Sequence, residues 1–312
     1  MSSMNALTVG TLFHAGRAAW FSSGFKPIDE AAVFEEVERT PGGASSAGWH
    51  SIADAFLCEQ SWVFKELRRV RKLVNNRPGP VSTADKEAAH VLLSDYFAHW
   101  NRQPKPTVKA VEHTFKADLF KATGRLGVFG KRTARLDDLS IYPEAGNRLA
   151  IGEAKTTSEP ISKVVTEYGP THGQILMQAC VLKGDPYAQR FGPISGVVLD
   201  VVRKLYNKSG GGIRGAECAR HFTPHYPHAV SWFGENLRLL ASRLATIEEK
   251  GSGLRNHTAC QRPRRSEFGT NFYECEYAAA CAHGRTAASE YIYIDKAGKA
   301  HSLTSAPPWM LS

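Results

Sequence analysis

Residues 135–156 read RLDDLSIYPEAGNRLAIGEAKT, and this pattern predicts a β-hairpin. The Pro, Gly and Asn residues over 143–147 are typical of a tight turn, and strand-like residues lie on both sides of it. The first strand is predicted over 127–142, with a possible break, and the second over 148–154. The turn therefore joins two strands that are neighbours in a sheet.

The stretches on both sides of the hairpin predict an α/β core. Apolar residues recur at helical spacing in four stretches, and they alternate or run together in two others. The predicted helices cover 51–73, 82–100, 171–182 and 233–247, and the further strands cover 108–119 and 194–202.

Acidic residues and a lysine are predicted to face each other across the hairpin. Glu153 and Lys155 project from one face of their strand, because side chains alternate along a strand. The neighbouring strand contributes Asp137 or Asp138. Two carboxylates can bind Mg²⁺ or Mn²⁺ for phosphodiester cleavage, and the lysine can act on water or on developing charge. On these residues alone, a solvated ion pair on an edge hairpin is the alternative.

The surroundings of these residues resemble the RecB-like branch of the PD-(D/E)xK nucleases. The runs 134–137 (ARLD) and 149–156 (LAIGEAKT) are similar to Gly-Arg-Ile-Asp and to hydrophobic-Asp/Glu-x-Lys-Thr, with alanine in place of the usual glycine. The resemblance implies a restriction-endonuclease-like fold, a mixed central sheet flanked by helices. It also implies that Asp137 and Glu153 bind the metal and that Lys155 acts on the water. Asp137 is preferred to Asp138 because it fits the motif register.

Two further positions follow the order of that family. His90, on the helix 82–100, is similar to a helical histidine that adds an imidazole ligand to the metal, although the usual preceding glycine is absent. An exposed helix histidine is the alternative interpretation. Gln174 resembles the glutamine of a Gln-x-x-x-Tyr helix that borders the active site, and Gln178 stands where tyrosine is usual.

The chain has six cysteines, which do not suggest a disulfide framework in a chain of this length. One cysteine before the core and three after it resemble the iron–sulfur members of the family, which include phage exonucleases and CRISPR-associated RecB-like nucleases. That resemblance implies a [4Fe-4S] cluster joining helical flanks around the core, although thiolates also fit Zn²⁺. Cys180 and Cys218, the latter in a polar loop, are interpreted as ordinary thiols. The predicted cluster ligands are Cys58, Cys260, Cys275 and Cys281.

The charge of the chain favours a polyanionic partner. Thirty-nine Lys and Arg residues against thirty Asp and Glu residues give a net charge of +9, and the absence of a long uncharged apolar run excludes a spanning helix. Basic residues beside the predicted cluster ligands would form a channel for DNA, unless they are simply a solvated face. They are Lys65, Arg68, Arg69, Lys72, Arg264 and Arg265.

These observations together predict a metal-dependent DNA nuclease, an exonuclease acting on single strands or DNA ends. The alternative is a non-cleaving nucleic-acid-binding subunit that carries iron–sulfur or zinc in a DNA-processing complex. No phosphate-binding helicase loop occurs, so unwinding would require a helicase or recombination partner. The expected location is the cytoplasm, or the host cytoplasm if a phage encodes the protein.

Three segments are predicted along the chain. Residues 1–48 are interpreted as a folded N-terminal segment rather than a transit peptide. Residues 49–285 would form the nuclease domain with its iron–sulfur flanks, and residues 286–312 a hairpin followed by a tail.

Overall fold

The computed structural model of the protein describes residues 6–39, 67–69, 81–120, 130–169, 172–207, 212–250, 264–265, 272–273, 291–294, 297 and 299–302. The chain divides into two compact units. One combines Met1–Pro41 with Pro80–Asn236, and the other combines Gly42–Gly79 with Leu237–Ser312. These limits do not coincide with the predicted ones at 48/49 and 285/286, because residues before 42 belong to the same unit as the hairpin.

The described helices and strands follow the chain in this order. The helices are α1 (Ala6–Ser22), α2 (Glu30–Arg39), α3 (Thr83–Asn101), α4 (Ile161–Glu167), α5 (Gly173–Gly184), α6 (Pro186–Gln189) and α7 (Pro227–Lys250). The strands are β1 (Leu67–Arg69), β2 (Thr107–Val111), β3 (Thr114–Asp118), β4 (Lys131–Arg135), β5 (Asp138–Tyr142), β6 (Arg148–Thr157), β7 (Gly196–Tyr206), β8 (Ile213–Pro224), β9 (Arg264–Arg265), β10 (Phe272–Tyr273), β11 (Tyr291–Ile294) and β12 (Ala300–Ser302). Among these helices, none has the length and apolar character that crossing a bilayer requires.

The first unit contains a five-stranded sheet with the strand order β2-β5-β6-β7-β8. Strands β6 and β7 are parallel, and the other neighbours are antiparallel. The segment between β6 and β7 contains α4, α5 and α6, as a parallel crossover requires. The prediction of an α/β fold with a mixed sheet and flanking helices is therefore confirmed.

The predicted hairpin is formed by β5 and β6, whose register runs from Asp138 opposite Gly152 to Tyr142 opposite Arg148. A short 3₁₀ turn over Pro143–Ala145 connects them. Gly146 and Asn147 follow with φ values of 67° and 57°, a left-handed conformation that glycine and asparagine adopt at low cost. The turn residues that predicted the hairpin are thus the ones that close it.

The strand predicted over 108–119 is interrupted, and so is the one predicted over 127–142. Glu112 has a φ of 48° and separates β2 from β3, while Asp137 lies between β4 and β5. The Glu112 amide donates to the Asp137 carbonyl at 3.0 Å, and the Leu136 amide donates to the His113 carbonyl at 3.1 Å. Glu112 and Asp137 therefore lie next to each other where the central sheet ends and the β3–β4 hairpin begins.

Helix α1 packs against α3 beside the sheet. Its apolar residues Val9, Leu12 and Phe13 are fully buried, as are Leu92 and Leu93 of α3. Helix α3 begins as predicted, with the Ser82 side chain accepting from the Asp85 amide at 3.1 Å. This packing holds one face of α1 against the end of the sheet where Asp137 lies.

A buried polar cluster connects α1 and α3 to the sheet. The Arg17 Nη2 atom lies 2.8 Å from the Asp138 carboxylate, and its Nε atom lies 3.3 Å from that of Asp200. Arg220 also binds Asp200, at 3.2 Å, and the Tyr96 hydroxyl donates to the same carboxylate. Buried carboxylates are stable only when they are paired and hydrogen-bonded, and this cluster meets that condition.

In the second unit, β1, β11 and β12 form an antiparallel sheet, and β9 pairs with β10. Pairing of β11 with β12 confirms the predicted C-terminal hairpin. The helix predicted over 51–73 is wrong at Leu67–Arg69, because these residues pair with Tyr291–Tyr293 as a strand. Arg68 and Arg69, two of the basic residues predicted to contact DNA, therefore belong to a strand and not to a helix.

Candidate active site

Asp137 is held beside the Glu153-Ala154-Lys155 segment of β6. Its Oδ2 atom accepts a hydrogen bond from the Ala154 amide at 2.7 Å. The last register pair of the hairpin is Asp138 with Gly152, so Asp137 is one residue beyond the ladder, at the height of Glu153. The structure therefore brings together the three residues that the hairpin pattern predicted as neighbours.

His14 and Glu112 lie close to Asp137, and the three residues together form a set of possible metal ligands. The ligand atoms of these three residues all lie within 4.8 Å of one another, and His14 Nδ1 is 3.4 Å from Asp137 Oδ2. These atoms are close enough together to bind one hard divalent cation after a small movement of the side chains. Two carboxylates and an imidazole are donors that Mg²⁺ or Mn²⁺ accepts. These three residues could therefore hold a metal ion.

Charges within this group alter its proton affinities. Burial opposes ionisation of Asp137, but the His14 and Arg17 charges and the Ala154 amide outweigh it and hold the pKa of Asp137 well below its usual range. Burial lowers the pKa of His14, but Asp137 raises it more, so the net pKa is raised above 6.5. Burial and the nearby Asp137 raise the pKa of Glu112, against the opposing effect of Arg135.

Glu153 is fixed by three side chains. Its Oε1 atom accepts from Gln174 Nε2 at 2.8 Å and lies 2.8 Å from Lys155 Nζ, and its Oε2 atom accepts from Gln178 Nε2 at 3.1 Å. Gln174 and Gln178 are one turn apart on α5, which explains how both reach one carboxylate. Gln178, at the position where tyrosine was expected, thus supports Glu153. The predicted metal-ligand role of Glu153 stays a prediction, since the group of nearby ligand atoms is His14, Glu112 and Asp137.

Lys155 is a fixed positive charge at the site. Burial lowers the pKa of Lys155, but Glu153 and Tyr168 more than compensate, so its pKa is raised above the usual value. Its ammonium group lies 4.6 Å from the centre of the Tyr168 ring. Lys155 is therefore protonated at neutral pH and suited to stabilising negative charge rather than to removing a proton.

Two residues predicted as metal ligands lie elsewhere. His90 is on α3 with a side chain that is 65% exposed, and its Nδ1 atom is 2.7 Å from Glu30 Oε2 of α2. Asp138 is fully buried, and its carboxylate forms an ion pair with Arg17, because its side chain points into the polar cluster rather than toward Asp137. The structure thus differs from the prediction that His90 is a metal ligand. Of the two aspartates, it favours Asp137 as the ligand.

The sequence did not predict that His14 and Glu112 lie at this site. His14 belongs to the N-terminal segment, which was assigned no part in the site, and Glu112 lies in what was predicted as a continuous strand. One sequence feature could have indicated His14. Gly10 stands one helical turn before His14 on α1, whereas the helix of His90 lacks the glycine that the resemblance leads one to expect before the histidine. A Cβ atom at Gly10 would lie 3.3 Å from Thr156 Oγ1, so the glycine permits close approach of α1 to β6.

The predicted cluster ligands Cys58, Cys260, Cys275 and Cys281 lie outside the described residues, as do Lys65 and Lys72. Arg264 and Arg265 form the short strand β9. Cys180 and Cys218 are free thiols, and burial raises the pKa of Cys180 to about 11 and that of Cys218 to about 12. The prediction that Cys218 lies in a loop is wrong, because it pairs with Val202 within the β7–β8 ladder.

The affinity for Mn²⁺ is expected to rise with pH, because a proton and a metal compete for His14. Titration calorimetry should give binding at least about 4-fold weaker at pH 6 than at pH 8, since the His14 pKa lies above 6.5. The charges that act on His14 are those of Asp137, Lys155 and Arg17, and all remain in the control His14→Gln. That variant should bind more weakly, with a shallower pH dependence. An unchanged pH dependence would exclude His14 as a ligand.

The arrangement as a whole suits chemistry on an anionic substrate, with acidic ligands for a cation next to a protonated lysine. A comparison with models of known protein families finds no match to this chain, and a comparison with curated proteins finds none either. The chemistry is therefore inferred from the side chains themselves.

Proposed function

We propose that the protein is a metal-dependent DNA nuclease, an exonuclease of the RecB-like PD-(D/E)xK type with a restriction-endonuclease-like core. The observation that carries the proposal is the position of Asp137, which binds the amide between Glu153 and Lys155 and lies within 4.8 Å of His14 and Glu112 ligand atoms. The mixed sheet and the net charge of +9 are consistent with this function.

Each residue of the site has a distinct task in this proposal. His14, Glu112 and Asp137 would hold Mg²⁺ or Mn²⁺. When bound, such a cation supplies an activated water and neutralises charge on the phosphate. Lys155 places its positive charge beside the scissile phosphate, and Glu153 orients Lys155. Gln174 and Gln178 keep Glu153 in one position.

Replacement of Lys155 by methionine is expected to slow cleavage about 10²- to 10³-fold, because a fixed charge that stabilises the transition state is lost. The assay follows end-labelled single- and double-stranded DNA incubated with Mn²⁺. Lys163→Met is the matched control and should have little effect, since Lys163 of α4 only forms an ion pair with Glu159, which precedes the helix. Equal cleavage by the wild type and Lys155→Met would contradict the proposal. DNA binding without cleavage by the wild type would support the non-cleaving alternative.

The iron–sulfur cluster remains part of the proposal because the positions of the cysteines resemble those of the iron–sulfur members of that family. Stretches of chain before and after the core meet in the second unit, where β1 pairs with β11. Cys58 belongs to one stretch, and the three late cysteines belong to the other. Protein purified without oxygen would be brown if it held iron–sulfur and colourless if it held zinc.

A further inference from the structure

A cluster of aromatic rings lies at the start of the β3–β4 hairpin. The Tyr187 ring of α6 is centred 5.0 Å from the His113 ring at a tilt of 39°, and 6.2 Å from the Phe115 ring at 29°. Phe191 meets Tyr187 edge-on at 5.0 Å. Phe115 is fully buried, but Tyr187 is 39% exposed and His113 is also exposed. The two outer rings therefore form an exposed aromatic surface above a buried one.

A single carboxylate holds this surface in place. Asp185 Oδ2 accepts from the Lys116 amide of β3 at 2.7 Å. Asp185 Oδ1 accepts from the amides of Tyr187 and Ala188 at 2.8 and 2.9 Å. The strand that carries Phe115 and the short helix that carries Tyr187 are thus tied together. A rigid aromatic surface loses little conformational entropy when a ligand binds, and this favours recognition.

The aromatic surface adjoins the candidate active site. His113 directly follows Glu112, so their Cα atoms are about 3.8 Å apart. The His113 carbonyl accepts from the amide of Leu136, the residue before Asp137. The backbone thus joins the aromatic surface directly to the segments that carry two of the possible metal ligands, Glu112 and Asp137.

We infer that His113 and Tyr187 form a stacking surface for an unpaired base of single-stranded DNA next to the cleavage site. Nucleobases stack on aromatic side chains without regard to sequence, whereas bases inside a duplex are not available for this contact. Arg190 adds a positive charge beside this surface, with its Cζ atom 6.0 Å from the centre of the Tyr187 ring. The inference rests on the proposed nuclease function and specifies its substrate as a single strand.

The test measures binding of a fluorescent single strand of about 12 nucleotides without divalent cation, so that nothing is cut. Tyr187→Ala is expected to weaken binding roughly 5- to 150-fold, because a base–aromatic stack is lost. Tyr187→Phe keeps the ring and should bind within about 2-fold of the wild type. His113→Ala is a second variant at an exposed ring, for the case that Tyr187→Ala does not fold.

A series of strands that each lack one base makes the test specific for stacking. In the wild type, removal of one particular base should weaken binding, and in Tyr187→Ala that removal should have no further effect. Single-strand binding by Tyr187→Ala and His113→Ala equal to that of the wild type overturns the inference. Tyr187→Phe binding as weakly as Tyr187→Ala also overturns it. If the stacking signature appears but Mn²⁺ gives no cleavage, the nuclease proposal fails while the binding surface stands.

Discussion

Replacing Arg17 by methionine is expected to lower the free energy of unfolding by about 3–5 kcal/mol, because it leaves the buried carboxylate of Asp138 without its cation. Arg17 is 1% exposed, and its guanidinium binds Asp138 and Asp200, both fully buried. Asp200 would keep Arg220, whereas Asp138 would keep only the hydroxyl groups of its neighbours. The loss of stability should therefore come mainly from the unpaired carboxylate of Asp138. Urea unfolding measures this loss.

Two further variants separate this effect from a general effect of losing an arginine. Arg39→Met removes ion pairs to exposed Glu35 and Glu36 and should cost less than about 1 kcal/mol. The double variant Arg17→Met, Asp138→Asn removes both partners of a buried pair and should be more stable than Arg17→Met alone. If Arg17→Met were no less stable than Arg39→Met, the cluster would contribute nothing to the fold.

The cluster also links stability to the candidate site. Arg17 and His14 lie on the same helix, three residues apart, and they contact the adjacent residues Asp138 and Asp137. Gly152 makes room for this arrangement, because an added Cβ atom would collide with the Asp138 carboxylate. The buried pairing of Arg17 thus fixes α1 in the position that brings His14 to Asp137.

Replacing Asp137 by asparagine is expected to reduce both Mn²⁺ affinity and the cleavage rate by more than about 100-fold. Loss of an outer partner of a metal ligand already costs roughly 10- to 100-fold, and Asp137 would be a direct ligand. Asparagine retains the shape and an oxygen acceptor for the Ala154 amide, so the hairpin should stay folded. Titration calorimetry with Mn²⁺ measures the affinity, and release of end label from DNA measures the rate.

Glu35→Gln provides the matched control for loss of one negative charge. Its carboxylate is on α2 and pairs with exposed Arg39, so neither affinity nor rate should change by more than about 2-fold. A normal Mn²⁺ affinity in Asp137→Asn would show that Asp137 is not a ligand.

The hairpin and the close approach of its acidic residues to Lys155 were accessible from the sequence because local signals determine them. Turn residues at 143–147 set the β5–β6 connection, and alternation along β6 placed Glu153 and Lys155 on one face. Gln174 followed from the resemblance to the glutamine of the family's Gln-x-x-x-Tyr helix. These residues are brought to their partners by pairing of neighbouring strands or by one helix. The sequence pattern and the resemblance were therefore sufficient to predict that they lie close together.

Contacts made only by tertiary packing were missed. Helix α1 is apolar over most of its surface and contains a buried arginine, so periodicity did not reveal which face meets the sheet. His14 therefore gave no sign that it reaches Asp137. Strand β8 was missed because its exposed residues include charged ones such as Glu217. Its Arg220 is also charged, and its pairing with buried Asp200 is a tertiary contact.

The most direct test of the proposed function is the length of end-labelled single-stranded DNA after incubation with purified protein, in Mn²⁺ and in a chelator. We expect the wild type to shorten the DNA in Mn²⁺ and to leave it intact in the chelator, and Asp137→Asn to leave it intact in both. Intact DNA with folded wild-type protein in Mn²⁺, or equal shortening by Asp137→Asn, would contradict a metal-dependent nuclease built on Asp137.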